Sequence, residues 1–301
     1  MNTGCKLSII IPTYNRPDQL EACLQSLAAQ DLAAYNTEVI VVNDGQARYN
    51  VEVVRRFDSV FQLELCNQPQ RGPSYARNQG ARVARGRHLA FLDDDCGVGS
   101  DWIGQAAAAL ETYPHAMIGG TTVNGLISNP YATASQMLID YMYAYQQTTA
   151  GPQFFTSNNM ILPTASYRRL GGFNPQFLQP GGEDRDICYR WQQDGGQLVH
   201  IPMLTVFHYR QMDLAGFLRQ HFGYGCGALR CHASQTNRKG RRLLRLAPLN
   251  FYLDMLTYAG KNKPYEIRVN TVRVLITLSQ LAYAAGVSRA LLDQNRPFNR
   301  R

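Results

Sequence analysis

The sequence predicts an α/β protein in which helices flank a mostly parallel β-sheet, followed by a helical extension. Short apolar runs alternate regularly with amphipathic stretches along the first 125 residues, and polar residues follow several of these runs directly. Strands and helices that alternate at this spacing form parallel sheets with helices on both faces. At 301 residues and 45% hydrophobic content, the chain can form one large domain, or one domain with an appendage.

Residue patterns place the first nine elements. Apolar runs predict strands at 6–11, 38–44, 61–66, 88–93 and 116–121. Amphipathic periodicity predicts helices at 17–30, 46–57, 73–85 and 101–113. The first of these helices has proline in its first turn, where the fixed φ angle suits a helix start. The strand at 61–66 alternates in polarity, which favours a position nearer a sheet edge.

The second half of the chain is less regular. Residues 131–145, rich in Tyr, Met and Ala, predict a helix or a mobile insertion, and 154–162 predicts a strand. A helix that begins with acids is expected at 182–194, and one long bent strand or a strand pair at 197–209. Two or three helices follow from residue 212. We expect an α/β domain over 1–210 and a basic, amphipathic helical extension over 211–301.

Charge is concentrated at the C-terminus. Residues 238–301 hold 13 Lys or Arg and 3 Asp or Glu, a balance of +10; residues 1–237 hold 17 and 19, a balance of −2, and the two give the total of +8. A near-neutral body of this kind does not indicate a nucleic-acid partner. Seven scattered cysteines without a CxxC pair favour free thiols in the cytoplasm. No uninterrupted apolar run of 18 residues occurs, so we expect no transmembrane helix.

Three adjacent carboxylates follow the predicted fourth strand, at Asp93, Asp94 and Asp95. Because residues two apart in extended backbone point the same way, Asp93 and Asp95 can converge on one ligand. Oxygen ligands suit Mg²⁺ or Mn²⁺ shared with substrate phosphates, although a solvated acidic turn or a helix cap would use the same residues. Polar residues also end the first strand, at 12–17, and the second, at 43–45. Ligands of open α/β sheets bind at this edge, so one common site is expected.

Six motifs, taken in order, resemble those of the family 2 glycosyltransferases, which have the GT-A fold. They are IIIPTYNRP, VIVVNDG, RGPSYARNQG, FLDDD, GGF and PGGEDRDICYR, and the resemblance covers about residues 6–210. It implies a nucleotide-sugar donor, most often a UDP-sugar, a divalent Mn²⁺ or Mg²⁺ ion, and inversion at the anomeric carbon. It also implies a glycan or lipid-linked acceptor.

The resemblance assigns roles to residues at the ends of the first strands. It places Pro12, Thr13 and Tyr14 in the nucleotide pocket. Asp44 would hydrogen-bond the base, as a carboxylate can accept from a pyrimidine N–H, or would form an Asx turn before Gly45. Arg77 would contact the nucleotide or its phosphates, or form a structural ion pair beneath the three aspartates.

The aspartates themselves match the DxD positions of the family. The resemblance places Asp93 near the ribose and Asp95 on the metal, and Asp94 could share either role because the register of three consecutive aspartates is ambiguous. Gln46 stands where relatives usually have Ser, which affects how the pocket is finished.

The remaining roles fall in the second half. The resemblance makes Asp184, preceded by Glu183, the catalytic base; alternatively both acids only cap a helix. It implies that His208 completes the metal site, although a histidine without a ligand role fits the pattern too. Trp191 could stack on a sugar, but its helical position favours core packing. Asn158 and Asn159 match weakly to donor or acceptor contacts.

The C-terminal segment lies outside the resemblance. Five cations in eight residues, Arg238 to Arg245, adjoin an apolar stretch to residue 260, and a second apolar stretch covers 269–292. Basic amphipathic segments bind membrane surfaces, here the inner face, but the same helices could form a cap or a homodimer arm.

Two rival functions share part of this pattern. A nucleotidyltransferase of similar fold would also use paired acids and a metal. The Glu183–Asp184 motif argues against it, as does the absence of the Gly-rich, Lys-containing N-terminal loop that resembles those of pyrophosphorylases. A non-catalytic nucleotide-sugar-binding protein would not need acids at 93, 95 and 184 together.

Overall fold

The computed structural model describes residues 6–45, 48–149, 151–177, 181–239, 247–262 and 267–294. Its strands are β1 (Leu7–Thr13), β2 (Thr37–Asp44), β3 (Leu63–Gln68), β4 (His88–Phe91), β5 (Cys96–Val98), β6 (Met117–Asn124), β7 (Met160–Pro163) and β8 (Leu198–His208). Its helices are α1 (Pro17–Ala28), α2 (Arg48–Arg55), α3 (Pro73–Val83), α4 (Trp102–Thr112), α5 (Pro130–Thr149), α6 (Thr164–Arg169), α7 (Glu183–Gln193), α8 (Leu214–Lys239), α9 (Leu249–Lys261) and α10 (Val269–Gln294).

The eight strands form one sheet in the order β3-β2-β1-β4-β7-β6-β8-β5. β1 pairs in parallel with β2 and β4, β2 with β3, and β6 with β8. β7 runs antiparallel between β4 and β6, and β5 pairs antiparallel with β8. The mostly parallel sheet with flanking helices is therefore confirmed, and β3 lies at a sheet edge as its alternating sequence favoured.

Several second-half elements differ from or refine the sequence expectations. Residues 131–145 belong to a long helix, α5, and only the last part of 154–162 is a strand, β7. Residues 197–209 form one strand whose pairing with β6 is irregular between Gly120 and Thr121. Two short elements were not predicted, β5 in the first half and α6 in the second, because three and six residues are too few to show a period.

Contacts divide the chain into two units. The first comprises Met1–Gly125, Pro152–Leu178 and Ile187–Tyr209, and the second comprises Leu126–Gly151, Gln179–Asp186 and Arg210–Arg301. Two segments that precede residue 210 thus group with the C-terminal helices. The division into domains at 1–210 and 211–301, expected from the sequence, stays a prediction.

The first unit contains the sheet and its core. Aliphatic side chains of β1 and β2 are fully buried beneath α1, where Leu20, Leu24 and Leu27 repeat at helical spacing. Burial of apolar surface at about 25 cal/mol per Å² is the main force that fixes these layers. Because the strands are buried on both faces, their side chains read as continuous apolar runs.

The second unit is helical, with a core of side chains from α5, α8, α9 and α10. Helices α8 and α10 approach closely at two glycines. A Cβ atom on Gly225 would lie 2.0 Å from the carbonyl oxygen of Tyr283, and one on Gly286 would lie 2.0 Å from that of Phe222. Larger residues at these positions would force the two helices apart.

Helix α10 qualifies the expectation about membrane spans. By length and composition, Val269–Asp293 is the one helix among the described residues that could cross a membrane. Core helices of soluble proteins can meet the same criterion, so the absence of a transmembrane helix stays a prediction.

The basic residues Arg241, Arg242 and Arg245 lie outside the described residues, as do the side chains of Arg238 and Lys239.

Candidate active site

The three adjacent aspartates lie in the turn between β4 and β5, and each has different partners. Asp93 forms an ion pair with Arg77 of α3, with 2.6 Å between Arg77 Nη2 and Asp93 Oδ1. The Arg77 side chain is only 4% exposed, and its guanidinium carbon lies 5.4 Å from the centroid of the Phe173 ring. This geometry favours the structural ion pair over a direct nucleotide contact for Arg77.

Asp94 is the most enclosed of the three, at 4% exposure. The Thr13 hydroxyl donates to Asp94 Oδ2 at 2.8 Å, and Arg16 Nη1 donates to Asp94 Oδ1 at 3.1 Å. Burial raises the pKa of Asp94 to about 7, and the positive charge of Arg16 opposes that rise. A carboxyl group held in this way anchors the turn to β1.

Asp95 carries the most direct connection to the predicted metal site. Its Oδ1 lies 3.2 Å from His208 Nε2, and its Oδ2 accepts from Arg16 Nη1 at 3.1 Å. The antiparallel pairing of β5 with β8 sets Cys96 opposite His208, and the backbone N–H of Tyr209 donates to the Asp95 carbonyl. The sheet therefore brings together the two residues that the resemblance assigned to the metal.

The ligand atoms of Asp95, Cys96 and His208 all lie within 4.8 Å of one another. Burial raises the pKa of the Cys96 thiol well above its usual value, and the charges of Asp95 and Asp93 add to the effect. A neutral thiol is a poor ligand, because the thiolate is the form that binds metals. The remaining carboxylate oxygen and imidazole nitrogen fit Mn²⁺, which accepts both kinds of ligand.

Asp44 ends β2 and organises the loop that precedes α3. One oxygen accepts from Gln68 Nε2 at 2.7 Å and from the backbone N–H of Arg71 at 2.8 Å. The other accepts from the N–H of Gly72 at 2.8 Å. Asp44 thus connects the end of β2 to the end of β3 and to the loop that follows β3. An ionised carboxylate has about four lone-pair sites, so one further donor can be accommodated.

The residues at the end of β1 face different surroundings. Pro12 is paired in register with Val42, and Thr13 is buried beneath Asp94 and Asn50. Tyr14 is exposed, and a Cβ atom on Gly45 would lie 3.0 Å from its ring. Of the three predicted pocket residues, Tyr14 is the most exposed, Pro12 is partly buried and Thr13 is buried.

Asn158, Asn159 and Trp191 are buried. Asn158 accepts from the hydroxyls of Thr122 and Thr156, and Asn159 accepts from the indole of Trp102 while donating to two backbone carbonyls. Trp191 is 2% exposed and donates to the carbonyl of Gln197 at 2.9 Å. These contacts support the core packing that its helical position favoured for Trp191, since no ring face is open to a sugar.

Glu183 and Asp184 begin α7 and belong to the second unit. Gly181 and Gly182, with φ of 140° and 96°, take conformations that favour glycine, and the N–H of Gly181 donates to Glu183 Oε2 at 2.7 Å. Glu183 therefore fixes the glycine turn that leads into α7. Asp184 is less buried than Glu183, and the helix N-terminus favours its ionised form.

Tyr224 of α8 shares this part of the second unit. Burial raises the pKa of Tyr224 to about 12, where Arg210 opposes the rise and the charges of Asp184 and Glu183 add to it. A Cβ atom on Gly181 would lie 3.0 Å from the Tyr224 ring. The sequence contained no signal for Tyr224, since it lies beyond the motifs.

Arg16 was also not selected from the sequence, although it lies within the first motif. It precedes α1 and contacts both Asp94 and Asp95. Only its contact with two carboxylates marks Arg16 as part of the site.

Comparison with known proteins identifies the family. The family model described as glycosyl transferase family 2 matches residues 8–170, which is more than half of the chain. The chain belongs to glycosyl transferase family 2. A second model, described as N-terminal domain of galactosyltransferase, matches residues 139–213. The family expected from the six motifs is thereby confirmed.

Relatives of known name agree with this assignment. Validoxylamine A glucosyltransferase of Streptomyces hygroscopicus subsp. jinggangensis is 29% identical over 65% of this chain and 52% of its own length. Glucosyl-dolichyl phosphate glucuronosyltransferase of Haloferax volcanii is 32% identical over 67% of this chain and 69% of its own. The chain spans about half the length of the Streptomyces relatives that it matches.

Solved structures confirm the GT-A fold. The mannosyltransferase PcManGT from Pyrobaculum calidifontis, in complex with GDP-Man and Mn²⁺, superposes with a TM-score of 0.66 at 17% identity, covering 96% of this chain and 88% of that one. TarS residues 1–349 from S. aureus, in complex with UDP-GlcNAc, gives a TM-score of 0.53 at 16% identity, with coverage of 98% and 93%.

Proposed function

We propose that this chain is an inverting, metal-dependent glycosyltransferase that moves a sugar from a nucleotide-sugar to an acceptor hydroxyl. The observation that carries the proposal is the Asp95–His208 pair, a carboxylate and an imidazole 3.2 Å apart beside two further aspartates. A nucleotidyltransferase or a binding protein with no catalysis would account less well for this pair together with Asp184 in a member of this family.

The donor site in this proposal lies at the carboxyl ends of β1, β2 and β4. Tyr14 offers an exposed ring for the base, and Asp44 has capacity for one more donor such as a pyrimidine N–H. UDP-sugars are the first candidates, and GDP-sugars are the second, since the two similar structures contain UDP-GlcNAc and GDP-Man.

Asp95 and His208 would hold a divalent cation, Mn²⁺ or Mg²⁺. When bound, the cation neutralises the charge that develops on the departing nucleoside diphosphate. Arg77 orients Asp93, and the Thr13 hydroxyl fixes Asp94. These contacts position the turn before any ligand binds, which lowers the cost of organising the site.

Asp184 is the proposed base. An acceptor oxygen attacks the anomeric carbon as the bond from that carbon to the diphosphate oxygen breaks, and the hydroxyl proton passes to the Asp184 carboxylate. One displacement of this kind inverts the configuration and needs no carboxylate nucleophile. Asp184 lies in the first turn of α7, where the helix dipole favours a carboxylate, the form that can accept the proton.

The acceptor is proposed to be a glycan or a lipid-linked sugar. The name of the Haloferax relative, which contains a dolichyl phosphate, supports the lipid-linked class. Exposed apolar side chains on α9 and α10, among them Leu249, Leu253, Leu281 and Leu292, support contact with a membrane. The enzyme would then act in the cytoplasm at the inner membrane face; a homodimer arm is the alternative use of these helices.

The test combines donor screening with one substitution. Nucleotide-sugars and Mn²⁺ are screened by thermal shift, since a ligand at 100 times its Kd adds about 2.7 kcal/mol of stability. With the donor identified, Asp184→Asn should still bind it but lose transfer by roughly 10²–10⁴-fold, because proton removal is lost. Asp293→Asn, an exposed acid of α10, is the matched control and should keep full transfer.

The outcomes separate the three functions. Stabilisation by nucleotide-sugars with transfer that depends on Asp184 supports the glycosyltransferase. Stabilisation without turnover on any glycan or lipid-linked acceptor would indicate a binding protein. Release of pyrophosphate from a nucleoside triphosphate and a sugar phosphate would indicate a nucleotidyltransferase.

A further inference from the structure

Arg16 places a positive charge between two carboxylates of the acidic turn. Its Nη1 lies 3.1 Å from Asp94 Oδ1 and 3.1 Å from Asp95 Oδ2, so one guanidinium nitrogen bridges both side chains. Three adjacent carboxylates repel one another, and Asp94 is almost fully buried. A cation at this position offsets that repulsion when no metal is bound.

The two arginines of the site differ in how firmly they are held. Arg77 is 4% exposed and is enclosed by Asp93 and Phe173. Arg16 is 44% exposed, and within the described part of the chain its side-chain polar contacts are with the two aspartates alone. Arg77 is therefore a fixed part of the site, whereas Arg16 can leave it by rotating a long side chain into water.

Asp95 is shared between Arg16 and the proposed metal pair. Its Oδ2 faces Arg16, and its Oδ1 faces His208. A divalent cation bound to Asp95 and His208 would lie close to the Arg16 guanidinium, and two nearby positive charges repel each other. The metal and Arg16 therefore compete for the same carboxylate.

We propose that Arg16 is a built-in counter-ion that keeps the metal-free site folded and that a divalent metal must displace from Asp95. The inference rests on the proposed metal site. Arg16 is a positioning residue here: it holds Asp95 in place beside His208 and, by competing for that carboxylate, lowers the affinity for the metal. Its removal should therefore tighten metal binding while weakening the metal-free protein.

The test is a Mn²⁺ titration of the full chain, followed by the EPR signal of free Mn²⁺, with the melting temperature measured in parallel. Arg16→Gln should bind Mn²⁺ about tenfold more tightly, a change of about 1.4 kcal/mol. It should also melt at a lower temperature without metal and gain more from saturating Mn²⁺ than the wild type. Arg16→Lys keeps the positive charge but carries it on a compact, more strongly hydrated ammonium group, so it should fall between the two.

Arg56→Gln is the matched control. Arg56 is an exposed arginine of the same unit that pairs with Glu21 of α1 at 2.7 Å, away from the aspartates. Its loss should leave the Mn²⁺ affinity unchanged. A purely structural role for Arg16 would lower the melting temperature but would not tighten metal binding, so the sign of the affinity change is decisive.

Three results would overturn the inference. Unchanged or weaker Mn²⁺ binding by Arg16→Gln, with normal binding by the wild type, would reject the counter-ion role alone and leave the proposed function intact. If Arg16→Gln does not fold, Mn²⁺ binding by Arg16→Lys no tighter than that of the wild type has the same meaning. Absence of Mn²⁺ binding by the wild type would reject both the metal site and the inference.

Discussion

Substitution of Arg77 tests whether this residue anchors the acidic turn. In Arg77→Met the side chain keeps much of its length but loses its charge, and Asp93 loses the partner that lies 2.6 Å away. Removing one member of a buried ion pair costs about 3–5 kcal/mol. Because Asp93 is 29% exposed, water can partly solvate it, so we expect about 3 kcal/mol, near the lower end.

The expected loss is large enough to measure by thermal unfolding. At about 2–4 °C per kcal/mol for a unit of this size, the melting temperature should fall by roughly 6–12 °C. A double-mutant cycle with Asp93→Asn isolates the pair, and the coupling should account for at least half of the loss. Nucleotide binding by Arg77→Met should weaken only to the extent that the acidic turn loses its structure.

Arg169 supplies the control for this experiment. It pairs with Asp194 on the surface, where its side chain is 60% exposed, and such pairs contribute about 0–1 kcal/mol. The reasoning would be refuted if Arg77→Met cost no more than Arg169→Met. Normal stability combined with complete loss of nucleotide binding would instead assign Arg77 to the nucleotide.

Two further predictions concern the second unit. Burial lowers the pKa of His221 to about 4, helped by Arg210, so the unfolded state takes up a proton between pH 6.5 and 4 that the native state excludes. The free energy of unfolding should therefore fall as the pH falls through this range. Glutamine at this position can keep the contact with Ser135, so in urea unfolding His221→Gln should lose about 2 kcal/mol less stability than the wild type between pH 6.5 and 5. Equal pH dependence of the two proteins would contradict the assignment. In liposome flotation, we expect the chain to bind anionic vesicles and to be released by 1 M salt, which screens the charges. Each Lys or Arg near an anionic surface contributes about 1 kcal/mol, so binding should also be lost when five cations are neutralised together: Arg238, Lys239, Arg241, Arg242 and Arg245. Indifference to vesicles together with a stable dimer would assign the helices to an oligomer arm.

The fold was largely predictable because its first half is locally consistent. Apolar runs form β1, β2 and β4, and each ends close to where polar residues begin in the sequence. The sequence was less informative about β7, whose four residues are antiparallel to β4. Strand direction in a mixed sheet depends on how the chain returns, which no local pattern records.

The candidate site shows the same division. The motifs pointed to Asp93 and Asp95, because carboxylates at strand ends are visible in a single sequence, and the resemblance to the family pointed to His208. They did not identify Arg16, whose role depends on a contact with residues far along the chain. They also left Trp191 open between packing and sugar binding, which its burial decides in favour of packing.

The sequence by itself determined the family and the α/β class, since motif order and hydrophobic spacing are properties of the chain. Only the tertiary structure decided which side chain lies beside which aspartate: Arg77 pairs with Asp93, Arg16 bridges Asp94 and Asp95, and His208 adjoins Asp95. The last contact exists because β5 and β8 pair edge to edge and set Cys96 opposite His208. Three identical neighbouring side chains cannot be told apart by sequence, and their different surroundings arise when distant segments fold around them.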